Sequence, residues 1–136
     1  MVRWLFTVSG CETPASDRGD FTTLTSPSVY GSFSYIRLPK GFKAKIWAKR
    51  LAGTAGFMLI VSYTPDVTAP QPSWSAVDVE YLASAGSLEI DKRRPIVVPF
   101  RTGNEAIKFS YSYATARSII CFSADIEVTD EDEYPG

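Results

Sequence analysis

Two pairs of carboxylates stand at a spacing that can serve acid–base chemistry: Asp78 with Glu80, and Asp125 with Glu127. Residues two apart on a strand share a face, and glycoside hydrolysis needs two carboxyls at a set separation across a cleft. Yet acids at that spacing are more often simply the solvent face of a strand, and nothing near either pair marks a raised pKa. The rest of the catalytic vocabulary is thin. The chain has no histidine, which removes Ser/His and Cys/His nucleophilic catalysis together with the commonest metal ligand. No phosphate-cradling glycine loop or dinucleotide-binding pattern is present. The sequence therefore predicts a non-enzymatic protein with no catalytic residue, no cofactor and no metal.

Charge is distributed unevenly along the chain. Residues 1–63 hold eight Lys/Arg against three Asp/Glu, and residues 64–136 hold six against twelve. Arg37, Lys40, Lys43, Lys45, Lys49 and Arg50 come with no acid among them, and Asp125, Glu127, Asp130, Glu131, Asp132 and Glu133 come with no base. Two solvated faces of one domain, attracting each other, would account for this. Complementary surfaces on copies of the chain would do so as well, because opposite potentials steer and orient association. On that second reading Arg37, Lys43, Lys45, Trp47, Lys49 and Arg50 form one half of an assembly interface, and Asp130, Glu131, Asp132 and Glu133 the other.

Other constellations are weaker. Lys43, Lys45, Trp47 and Lys49 share one strand face, and an aromatic among cations can hold single-stranded nucleic acid or an anionic glycan. One tryptophan is a thin platform, and a net charge of −1 gives no general attraction to polyanions. The acidic run at 130–133 lacks the glycine-punctuated spacing of a calcium loop. Arg18-Gly19-Asp20 spells the integrin-binding tripeptide, but short motifs recur by chance, and a turn centred on Gly19 is the preferred reading. Tyr30, Tyr63, Trp74 and Tyr81 lie near turns or on the polar side of strands and are candidates for a sugar-stacking platform. Tyr and Trp are equally the residues of protein interfaces.

Cys11 and Cys121 lie 110 positions apart. Two buried free thiols are the simpler expectation; a bridge closing so long a loop is the alternative. Without histidine or a third cysteine no zinc site is expected. The apolar stretch before Cys11 is shorter than the hydrophobic region of a secretory signal, and Trp4, Phe6 and Val8 alternate as a strand would. No apolar run is long enough to span a membrane as a helix. Ordinary signal-directed secretion and membrane insertion are therefore not expected.

The elements that must position these residues are strands. Phe42, Ala44, Ile46 and Ala48 alternate with Lys43, Lys45, Trp47 and Lys49. Ile107, Phe109, Tyr111 and Tyr113 alternate with Lys108, Ser110 and Ser112, and 120–128 alternates likewise. Further strands are predicted at 2–9, 29–38, 57–64, 76–82, 86–90 and 95–100, with Pro95 and Pro99 pushing the last toward an edge. The run 57–61 reads as a central strand. Residues 42–51 with 57–64, and 105–113 with 117–128, are predicted as hairpins. Residues 10–28 are predicted as one long polar loop, and 129–136 as an acidic tail. The fold class is thus all-β: a single-domain antiparallel β-sandwich over 1–136, jelly-roll-like, with eight to nine strands and little or no helix.

Such a scaffold hosts several functions. The first reading is a structural subunit of a symmetric assembly, most naturally a virus coat or shell protein located in a virion or an extracellular assembly, whose partners are copies of itself or other coat subunits. It draws on the charge polarity, the aromatic load and the bare catalytic inventory. A single asparagine (Asn104) and a single glutamine (Gln71) add a heat-tolerant, thermophilic colour. The second reading is a carbohydrate-binding β-sandwich module, with a glycan as partner. A two-carboxylate glycoside hydrolase is the third.

Overall fold

The computed structural model describes residues 2–26, 29–50, 56–82 and 96–130. Over these residues the period-two pattern resolves into ten strands and no helix. They are β1 (Val2–Glu12), β2 (Gly19–Asp20), β3 (Leu24–Ser26), β4 (Val29–Phe33), β5 (Phe42–Arg50), β6 (Phe57–Thr64), β7 (Ser75–Leu82), β8 (Ile96–Phe100), β9 (Ala106–Ser112) and β10 (Ile120–Asp130). Every strand pairing is antiparallel. A six-stranded sheet has the order β4-β3-β1-β10-β5-β8, and a four-stranded sheet the order β2-β9-β6-β7. With β3 and β4 set aside as an extension of one edge, the facing orders β1-β10-β5-β8 and β2-β9-β6-β7 are those of interlocked Greek keys, the jelly-roll arrangement.

The apolar parity of each strand meets in one core. Val8, Ala44, Ile46, Phe122, Ala124, Ile126 and Val128 face it from the larger sheet, and Phe57, Leu59, Val61, Ile107 and Phe109 from the smaller, all 1% exposed or less. Aromatic rings fill one part of that core. Phe21 lies 4.7 Å from Phe122 and 5.3 Å from Tyr111 between centroids, both edge-on, the geometry that ring quadrupoles favour. Gly10 is required there by space. A Cβ on it would sit 2.8 Å from Phe122 Cε1 and 2.9 Å from Leu24 Cδ2. Gly10→Ala is therefore expected to lower stability by roughly 1–3 kcal/mol, as overpacking does, measurable as a reduced urea midpoint with an unchanged slope.

Several sequence expectations need correction. The two predicted hairpins do not form: β5 lies in the larger sheet and β6 in the smaller, and β9 and β10 are divided in the same way. A short connection can either turn back within a sheet or cross the core, and both leave the same parity apolar. Residues 10–28 are not one loop, since β1 continues to Glu12 and β2 and β3 intervene. The predicted strand 29–38 ends at Phe33, followed by an isolated bridge between Ile36 and Ile107. β6 is interior to its sheet, but Met58 and Ile60 remain half-buried on its outer side. Tyr113, placed on the buried parity, is 72% exposed, because β9 ends at Ser112 and Tyr113 turns to a φ of 54°. The predicted strand 86–90 lies outside the described residues.

The cysteines are bonded, not free. β1 and β10 run antiparallel in a register that sets Cys11 directly opposite Cys121. Their Cα atoms are 4.2 Å apart and the sulfurs form a disulfide. Linear sequence separates the two residues; the sheet register joins them.

Candidate functional site

At the margin of the smaller sheet, aromatic, charged and hydroxyl groups gather around a hollow. Gly19 and Asp20 form β2 by pairing with Tyr111 and Ser110 of β9. Glycine at 19 leaves room for the phenol, since a Cβ would sit 2.5 Å from Tyr111 Oη and displace it. The tyrosine ring thus lies against the β2 backbone and fixes the start of this strand. Asp20 follows it, and its carboxylate accepts a hydrogen bond from Ser110 Oγ at 2.7 Å and one from Lys108 Nζ at 3.2 Å. Lys108 and Ser110 alternate with the buried Ile107 and Phe109, so both belong to the outer face of β9. The tripeptide Arg18-Gly19-Asp20 is therefore a strand edge with a committed acid, not the turn predicted from sequence.

Trp74, immediately before β7, completes the group. Lys108 Nζ sits 4.7 Å from the centroid of its ring, a cation–π contact worth about 0.5–1 kcal/mol where water has access. The segment after β4 closes the other side. Ile36 and Ile107 exchange backbone hydrogen bonds at 2.8 and 3.0 Å, which pins Ser34 and Tyr35 beside β9. Asp20, Thr22, Ser34, Tyr35, Trp74 and Lys108, over a floor of Phe21, line a depression of about 270 Å³. Tyr35 is 39% exposed. Thr22 is anchored through Glu12, which accepts from its N–H at 3.2 Å and its hydroxyl at 3.3 Å.

This arrangement offers a half-buried indole and an open phenol for stacking, a carboxylate to accept hydrogen bonds, an ammonium to donate them, and hydroxyls that do both. Among the described residues, no group of three His, Cys, Asp or Glu could hold a metal ion, and no helix is long and apolar enough to cross a membrane.

The residues singled out from sequence are placed as follows. Of the sugar-platform candidates, Trp74 lines the hollow. Tyr63 instead packs against the core, where burial, then the Glu105 carboxylate, raise its phenol pKa above the ordinary value. The side chains of Tyr30 and Tyr81 lie outside the described residues, as do those of Asp78 and Glu80, whose backbones pair with Val61 and Leu59. Tyr35, Lys108 and Asp20 were not singled out as binding residues; only the pairing of β2 with β9 brings them together.

The basic strip and the acids Asp125 and Glu127 meet within one chain. β5 pairs with β10 so that Lys45 faces Glu127, Trp47 faces Asp125 and Lys43 faces Thr129, and such partners share a sheet face. Lys43 and Trp47 are only 8% and 9% exposed, so the indole offers no open stacking surface. Asp125 also accepts a hydrogen bond from Thr7 Oγ1 at 3.0 Å. Arg37 donates to the Gly103 carbonyl at 2.7 Å and to Asn104 Oδ1 at 2.9 Å. Lys49 and Arg50 close β5 opposite Ser123 and Phe122. Asp130 ends β10 opposite Phe42; Glu131, Asp132 and Glu133 lie outside the described residues, with the rest of the expected acidic tail.

No protein-family model and no curated protein matches this chain. Among solved structures it is similar to the N-terminal endo-1,4-beta-D-xylanase 10B of Clostridium thermocellum, comprising CBM22-1 and GH10 modules complexed with xylohexaose. There the identity is 13% and the TM-score 0.44, over 90% of this chain and 25% of that one, so this chain spans a quarter of the xylanase's length. It is also similar to a cleaved adhesin domain of Lys-gingipain from Porphyromonas gingivalis, at 15% identity and TM-score 0.45 over 90% of both chains. A second cleaved adhesin domain of the same protein gives 16% and 0.42, over 74% of this chain and 67% of that one. The β-sandwich assignment rests on the sheet order itself.

Proposed function

We propose that this domain is a carbohydrate-binding module, non-catalytic, whose ligand occupies the hollow between Trp74 and Tyr35. The observation that carries the reading is the coupling of an indole to a Lys108–Asp20 pair: Nζ lies 4.7 Å from the ring centroid and 3.2 Å from the carboxylate. A sugar presents an apolar C–H face and a belt of hydroxyls, each able to donate and accept. The C–H face suits an aromatic ring. Neighbouring hydroxyls suit an ion pair, one donating to Asp20 and the next accepting from Lys108. The pair is formally neutral, which suits a neutral sugar. The disulfide fits an oxidising, extracellular setting, where polysaccharide ligands occur.

The assembly reading has lost part of its motive, since Lys45 and Trp47 face Glu127 and Asp125 inside one chain and need no second copy for that attraction. The jelly roll itself favours neither, being shared by capsid and lectin domains.

Trp74→Ala is expected to weaken binding at least tenfold, about 1.4 kcal/mol, with a melting temperature lower by only about 2–4 °C, the share of the lost cation–π contact. Affinity electrophoresis through gels containing a panel of soluble neutral and acidic polysaccharides measures this. Wild-type mobility that no polysaccharide alters, or equal retardation of Trp74→Ala, removes the proposal.

A further inference from the structure

Tyr35 borders two depressions. On one side lies the polar hollow with Asp20, Trp74 and Lys108. On the other, Phe6, Phe33, Ile36 and Leu38 surround an apolar hollow of about 290 Å³. The chain builds this second hollow where the segment leaving β4 crosses from one sheet to the other. Ile36 and Leu38 turn inward, 5% and 8% exposed, while Phe6 and Phe33 pack against the core from its margin. Arg37 lines it too, but its guanidinium is engaged, donating to the Gly103 carbonyl and Asn104 Oδ1. The rest of its wall is hydrocarbon, and it shares Tyr35 with the hollow suited to hydroxyls.

We infer that the ligand is amphipathic: a glycoside whose sugar lies on Trp74 and whose apolar aglycone, an alkyl chain or aromatic ring, lies between Phe33 and Leu38. This rests on the sugar-binding reading above. Tyr35, lining both hollows, sets them side by side within reach of one molecule, and a free sugar would leave the apolar walls hydrated. Tyr35, with a phenolic hydroxyl and an apolar ring, marks the junction between the two halves.

The test titrates wild-type protein calorimetrically with methyl and octyl β-glycosides of glucose, galactose and xylose below micellar concentration, with octanol as a sugar-free control. Each buried methylene is worth roughly fourfold in affinity, so seating a few of them makes the octyl compound at least about tenfold tighter than its methyl partner. The indole N–H resonance of Trp74 should respond to both members of a pair, and the methyl resonances of Ile36 and Leu38 to the octyl member alone. Phe33→Ser should reduce the octyl-to-methyl ratio below about threefold while leaving the methyl glycoside affinity intact. If that variant does not fold, the wild-type resonances decide. Equal affinities with Trp74 responding would overturn the aglycone inference and leave the sugar reading standing. Octanol binding as tightly as the octyl glycosides would overturn it as well. Silence of Trp74 toward every probe would overturn both.

Discussion

Removing the Cys11–Cys121 disulfide is expected to lower the stability of this domain by about 5 kcal/mol, the loop-entropy value for a closure of this length. The bridge spans 110 residues, nearly the whole chain. It fastens β1 to β10, whose ten-pair register already holds the two strands side by side. The bond therefore adds little to the folded geometry and acts by restricting the unfolded chain. For a domain of this size that loss corresponds to a melting temperature lower by on the order of 15 °C. The double variant Cys11→Ala with Cys121→Ala avoids leaving an unpaired thiol. Calorimetry on this variant, and on wild type with and without reductant, checks the expectation; a shift below about 2 °C contradicts the entropic account. Because Asp20 and Lys108 belong to the smaller sheet and the bridge to the larger, ligand affinity at 20 °C should be unchanged in the variant.

The strands were legible because the fold is two-layered and antiparallel, so that burial alternates along each strand. Phe42, Ala44, Ile46 and Ala48 state that alternation, as do Phe122, Ala124, Ile126 and Val128. Connectivity was not legible. The same parity serves a hairpin or a crossing of the core, and β5 to β6 and β9 to β10 turned out to cross. Strands of two and three residues, β2 and β3, are too short for any period to show. The disulfide and the meeting of Lys45 with Glu127 both depend on register between segments far apart in sequence. The candidate site was half legible. Trp74 stood out as an aromatic near a turn, and Lys108 and Ser110 fell on the polar parity. Asp20, however, drew notice only within a tripeptide, and its role emerges from the pairing of Ser110 with the β2 backbone.

Glu105 was overlooked for the same reason and carries the second large effect. Its side chain is 3% exposed, an expensive place for a charge unless it is well hydrogen-bonded. The residues just before it supply the donors. Its carboxylate accepts from the N–H groups of Arg101 at 2.7 Å, Thr102 at 3.0 Å and Gly103 at 2.9 Å, and from Thr102 Oγ1 at 2.8 Å. Burial alone would raise its pKa; the hydrogen bonds, led by its own backbone N–H and the Thr102 hydroxyl, outweigh that and hold it at about 2. The folded value lies below the unfolded one of 4.5. The ionised carboxylate therefore stabilises the fold fully above about pH 4.5, and that contribution is lost as the pH falls from there toward 2. A displacement of this size corresponds to about 3 kcal/mol. Glu105→Gln, which places an amide among donors that need an acceptor, should lose roughly that much at pH 7. Urea unfolding of both proteins between pH 7 and pH 2 isolates the effect, because the other carboxylates titrate alike in each. The stability gap should stay constant down to about pH 5 and narrow steadily below it. A gap independent of pH would mean that shape, and not the charge of Glu105, organises the turn at 101–104.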